Sequence, residues 1–143
     1  MKVMDRAREV QVFAGNQLYA EVAPAFTDVE EWKLVQSRLG GALKELEKLE
    51  GTTPEEEGEL LLALLMGYCV TVRNGSQIDR VLERAERVMP RLTDKVLKCK
   101  LAAFCYQEVP DEELQELTCS LLRELERDGR GDEVRHLGVM VDL

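Results

Sequence analysis

A chain of 143 residues with 45% hydrophobic and 33% charged side chains has the size and balance of one soluble domain with one well-shielded core. Its formal charge of -9 opposes phosphate backbones at long range, and an aromatic fraction of 5% leaves few rings for base stacking, so a protein partner is expected rather than direct nucleic acid. The start, Met1 to Glu9, mixes charges of both signs without the apolar core of a signal peptide, and the longest apolar run, Leu60 to Val72, falls short of the roughly 20 residues that span a bilayer, so a cytoplasmic protein without membrane contact is expected.

Val3, Ala7, Val10, Ala14 and Leu18 recur at helical spacing and predict a first helix over residues 2 to 21, ending before Pro24. Thr27 with Glu30 forms a capping box that opens a second helix, with Val29, Trp32, Val35, Leu39, Leu43, Leu46 and Leu49 on one stripe and Gly51 as its stop. Adjacent glycines at 40 and 41 weaken that helix and are expected to kink or split it.

Thr53-Pro54-Glu55-Glu56 combines an N-cap, proline at the first helical position and a glutamate three residues after the cap. The helix it starts is predicted to run to Arg73. Its segment Leu60 to Val72 is apolar all round, which a helix tolerates only when other helices enclose it, and Gly67 within it marks a close crossing. Asn74-Gly75 is expected to turn the chain in a left-handed conformation, with Ser76 capping a fourth helix. That helix carries Ile78, Val81, Leu82, Ala85, Val88 and Met89 on one face and halts at Pro90. Thr93 or Asp94 caps a fifth helix through Gln107, and Pro110-Asp111 starts a sixth with Leu114, Leu117, Leu121 and Leu125 facing inward and Asp128-Gly129 as its end.

Residues 132–143 carry few anchors and are expected to be the least ordered part. No period-two run of β-branched and aromatic residues occurs. The expected fold is therefore all-α: a single domain of six or seven antiparallel helices over residues 1–143, with N-terminal helices in 1–52, a core of stacked helical hairpins in 53–128 and a tail in 129–143.

Chemical sites are sparse. Cys69, Cys99, Cys105 and Cys119 form no C-x-x-C pair and read as small buried hydrophobes, and His136 is a lone surface histidine. Ser37, Ser76 and Ser120 lie in no nucleophile elbow, and the glycines form no phosphate loop, so no catalytic, cofactor or metal residue is assigned and no enzyme is expected. Charge is patterned instead. Residues 77–107 carry seven basic and four acidic side chains, and residues 108–128 two basic and eight acidic. Arg80, Arg84, Arg87 and Arg91 follow i, i+4, i+7 and i+11 and form a stripe suited either to solvent or to an acidic partner surface. Glu112, Glu113 and Glu116 give the sixth helix an acidic start that suits the helix dipole or a basic partner surface.

The run Leu60 to Tyr68 (LLLALLMGY), the Asn74-Gly75 turn, Val81-Leu82-Glu83-Arg84 and above all Leu97 to Leu114 (LKCKLAAFCYQEVPDEEL) resemble the UpxZ family of Bacteroides, over about residues 55 to 122. The resemblance implies a protein encoded in a capsular polysaccharide locus that antagonises transcription antitermination. It further implies action by binding, on NusG-like antiterminators of the UpxY type from other capsule loci, without cofactor or catalysis. A helical-repeat-like adaptor or chaperone that holds a peptide in a groove is the alternative, and direct nucleic-acid binding through the arginine stripe a more distant one.

Overall fold

A computed structural model describes residues 3–18, 29–71 and 75–141. Expectations that rest on Pro24, Thr27 and Asn74, or on the side chains of Leu18, Val29, Glu30, Trp32 and Val35, lie outside the described residues. Among the described residues six α-helices follow one another: α1 (Val3–Leu18), α2 (Val29–Glu47), α3 (Pro54–Cys69), α4 (Gly75–Val88), α5 (Lys95–Glu108) and α6 (Glu112–Arg127). Short 3-10 turns occupy Met89–Arg91, Gly131–Glu133 and Arg135–Val141, and no strand occurs among the described residues. The all-α expectation holds.

The start of α3 forms as its residues dictate. Thr53 has extended backbone and accepts a hydrogen bond from the Glu56 N–H at 3.1 Å, while Pro54 occupies the first turn, where its missing N–H costs nothing. The Glu56 carboxylate reaches back to the backbone N–H of Thr52 at 2.8 Å, one residue before the position a standard capping box would use. Beyond this cap the helix is enclosed, with every residue from Leu60 to Tyr68 buried. Each of its five buried leucines contributes about 1.5–3 kcal/mol by leaving water.

Two neighbours explain how α3 is covered. Helix α1 makes the most extensive contact with it, through a face of small side chains, Ala7, Val10 and Ala14, that lets the two backbones approach closely. Gln11 Nε2 fixes their register by donating to the Glu59 carbonyl at 2.9 Å and to its carboxylate at 2.7 Å. Helix α2 crosses α3 at Gly67, where an added Cβ would run into the Leu43 side chain, as expected of a close crossing. The glycine pair 40–41 does not split α2, which runs unbroken, and a Cβ at either position would meet no atom. These glycines lower helix propensity without breaking a helix held by the buried Leu39, Leu43 and Leu46.

Helix α3 ends at Cys69, short of the predicted Arg73. Its last carbonyls find side-chain and backbone donors instead of further turns: Val70 N–H and Thr71 Oγ1 both donate to Gly67 O, and Gln36 Nε2 donates to Val70 O at 2.7 Å. Gly75 is no left-handed turn residue, because it already belongs to α4, and Ser76 lies inside that helix rather than capping it. Among the described glycines only Gly129, after α6, has positive φ, +78°. Asp94 and Asp111 cap α5 and α6 through backbone N–H groups of Val96, Leu97 and Glu113.

Helices α3 with α4 and α5 with α6 pack as two hairpins, and α3 against α5 is the seam between them. The core nevertheless exceeds residues 53–128. It takes in α1 and α2, and it takes in the segment after α6, expected to be poorly ordered. Val134, Leu137 and Val141 are fully buried there, with Arg135–Val141 lying on α5 and α6. Gln107 Nε2 donates to Met140 O at 2.7 Å and Gln115 Nε2 to Val141 O at 2.9 Å, tying this segment to the α5–α6 junction.

Candidate protein-interaction surface

Helix α4 is strongly amphipathic. Ile78, Val81, Ala85 and Val88 form its buried line, which leaves two flanks. The first carries the arginine stripe and faces the α2–α3 connection, where Arg84, Arg87 and Arg91 line a polar recess of about 340 Å³ with Glu50 and Glu57. Arg84 is occupied. Its Nε and Nη2 donate to the two Glu57 carboxylate oxygens at 2.9 and 2.8 Å, and Nη2 also donates to the Leu49 carbonyl at 2.9 Å. Both side chains are less than one-fifth exposed, so this fork-to-fork pair fastens α4 to the first turn of α3 and to the chain leaving α2. Gly51 permits that arrangement, since a Cβ there would collide with the Glu57 backbone; its N–H donates to Glu57 Oε1 at 2.9 Å.

The other three arginines are exposed and form no ion pair among the described residues. Arg80 lies in a neighbouring recess with Lys44, Glu47 and Tyr68. The Tyr68 hydroxyl donates to Glu47 at 2.7 Å, and burial together with that carboxylate pushes its pKa well above the ordinary phenol value. Among the described residues the stripe thus divides into one structural arginine and three exposed ones without an ion pair.

The second flank of α4 faces α6. The two helices do not pack on each other; both rest on the rest of the bundle and leave a groove of about 420 Å³ floored by the end of α5. Leu82, Met89, Cys105, Val109, Leu114 and Leu117 supply its apolar surface, and Glu86, Asp111 and Glu113 its rim. Leu114 and Leu117, expected to point inward with Leu121 and Leu125, do pack against the core but are only half-buried, whereas the latter two are fully in it. Val109 is 49% exposed. Glu112, Glu113 and Glu116 are exposed and form no ion pair among the described residues. The two predicted charge clusters are therefore not one site: arginines and glutamates lie on opposite sides of α4. Sequence reasoning missed the groove itself. Its local signal is the apolar Val109 placed directly before Pro110, outside any buried helical stripe.

Little else offers chemistry. Burial pushes the Cys99 and Cys105 thiols up to about 12, which keeps them protonated and unreactive at neutral pH. His136 is held below its ordinary value by partial burial and by the nearby Lys100 cation, and it shares a recess with Lys100 and Phe104. No group of three metal-ligating side chains occurs among the described residues. None of their helices is long and apolar enough to cross a membrane.

Comparison with curated proteins finds no match. Residues 7–107 match the UpxZ family of transcription anti-terminator antagonists. That match begins in α1, well before the stretch that carries the sequence resemblance, and stops at the end of α5. The chain is also similar to a transcription anti-terminator antagonist UpxZ from Bacteroides uniformis ATCC 8492, known from a crystal structure: they share 25% identity and superpose with a TM-score of 0.84 over 99% of this chain and 91% of the other. The likeness includes α6 and the closing segment, which the family match does not reach. With more than half of its length matched, the chain belongs to the UpxZ family of transcription anti-terminator antagonists.

Proposed function

We propose that this protein is a cytoplasmic negative regulator of transcription antitermination that binds NusG-like antiterminators of the UpxY type belonging to other capsular polysaccharide loci and denies them the surface they need for polymerase. Family membership over residues 7–107 carries the reading. The surface chemistry supports it: among the described residues, Arg80 and Arg87 on one side of α4, Arg91 in the turn after it, and Glu112, Glu113 and Glu116 at the start of α6 form no ion pair and offer charged contacts. Arg80, Arg87 and Arg91 engage acidic groups of the partner, with Arg84 holding α4 in position for them. Glu112, Glu113 and Glu116 engage basic ones. The mode is occupation of a surface, not chemistry, and it takes no cofactor and no nucleic acid.

Pull-down of purified NusG-like antiterminators from the same and from other capsule loci tests this. Binding at low salt to the non-cognate proteins, loss of antitermination in a reconstituted transcription assay, and weakening of both by Arg80→Glu, Arg87→Glu and Arg91→Glu together are expected. Absence of binding to every antiterminator would overturn the reading. A peptide-holding adaptor is the second reading, favoured by the apolar groove between α4 and α6. It gives peptide capture with antitermination unaffected.

A further inference from the structure

The groove between α4 and α6 has the chemistry of a seat for a third helix. Its walls are two helices and its floor the end of α5, and its aliphatic lining stays incompletely covered: Leu82, Leu114 and Leu117 are half-buried and Val109 is 49% exposed. Covering such side chains recovers the hydrophobic gain that the isolated chain leaves unrealised, on the order of 25 cal/mol for each Å² removed from water. The rim decides what can cover them. Glu86 comes from α4, Asp111 from the N-cap of α6 and Glu113 from its first turn, and the lining contains no lysine or arginine. A second copy of this chain docked face to face would set this acidic rim against itself, in a molecule that already carries -9. Nucleic acid is repelled by the same carboxylates.

Resting on the reading of this chain as an antiterminator-binding protein, we propose that the groove between α4 and α6 receives an amphipathic helix of the partner, its aliphatic stripe laid on Leu82, Val109, Leu114 and Leu117 and its flanking lysines or arginines paired with Glu86 and Glu113. Helix-in-groove recognition supplies affinity through anchors at i, i+3, i+4 and i+7, and the carboxylates on both walls fix which helix is accepted. The groove then contributes the apolar part of the interface, and the arginine side of α4 contributes steering.

The test uses the full chain and a fluorescein-labelled peptide whose helix has a leucine stripe flanked by lysines, with a twin carrying glutamates in place of the lysines. Saturable binding of the lysine peptide is expected, with the glutamate twin at least about tenfold weaker. Val109→Lys and the pair Glu86→Lys with Glu113→Lys each weaken the lysine peptide by about tenfold, while the same two reversals made on α1, Asp5→Lys with Glu9→Lys, change it less than about twofold. All five positions are solvent-exposed, so unchanged melting temperatures verify that folding is intact. Failure of the lysine peptide to bind, or equal binding by the groove variants, overturns the proposal. The antiterminator measured against the same variants separates the two readings. Binding to the wild-type chain and to every groove variant alike keeps the function and removes the groove; groove-dependent peptide binding without antiterminator binding keeps the groove and removes the function.

Discussion

Helices α3 and α4 are the two arms of one hairpin, yet they spend their side chains differently. Helix α3 is buried on every side from Leu60 to Tyr68 and has no surface left with which to recognise anything. Helix α4 buries a single line of four residues and keeps two chemically distinct flanks, one fastened by the Arg84–Glu57 pair with Arg80 and Arg87 exposed beside it, and one open on the groove. Such a contrast teaches where recognition can reside. The all-apolar helix fixes the architecture, and the amphipathic helices around it carry whatever distinguishes one partner from another.

Truncations sharpen the contrast most. Leu64→Ala, at a fully buried position of α3, should lower unfolding stability by about 3–4 kcal/mol in urea titration, whereas Leu117→Ala in the groove should cost only about 1 kcal/mol because water already reaches it. Equal losses would mean that the groove is closed in solution. The closed flank of α4 comes next: Arg84→Met should cost about 2 kcal/mol by stranding the Glu57 carboxylate in a largely dry recess, less than a fully buried pair would because both side chains retain some solvent contact. Arg87→Met should leave the melting temperature unchanged, and a comparable loss there would break the division of the stripe into one structural arginine and three exposed ones. Two glycines should give small effects of opposite sign. Gly67→Ala should lose about 1 kcal/mol, since its methyl group meets Leu43 at a crossing too tight to yield freely, while Gly40→Ala, with open space around it, should gain about 0.5–1 kcal/mol from helix propensity. The same calorimetric scan reads both signs.

Much of this architecture is legible in the chain because its determinants are local. Caps at Thr53, Asp94 and Asp111 each act within three residues, and the unbroken apolarity around Leu60 to Tyr68 can mean only enclosure. What escapes local reading depends on distant partners. Arg84 looks identical to Arg87 along the sequence, and only Glu57, 27 positions away, and the Leu49 carbonyl, 35 away, separate them. Leu114 and Leu117 follow the same stripe as Leu121 and Leu125, but they also line the groove between α4 and α6 and stay half-buried, while the second pair is fully in the core. The closing segment carries a legible signal in Val134, Leu137 and Val141, spaced three and four apart, which is easily discounted beside so many charged neighbours. The match of residues 7–107 adds what no periodicity contains, the association of this helical frame with antagonism of anti-terminators.

The burial of that closing segment also constrains how the protein is made. Leu137 and Val134 complete the core against α5 and α6, so the hydrophobic seam along these helices stays unsealed until residues 131–141 have left the ribosome. Synthesis delivers the sealing piece after everything it seals. A nascent chain paused at Gly129 therefore presents an adhesive surface rather than a finished domain, and the core closes only once the segment after α6 can fold back onto it.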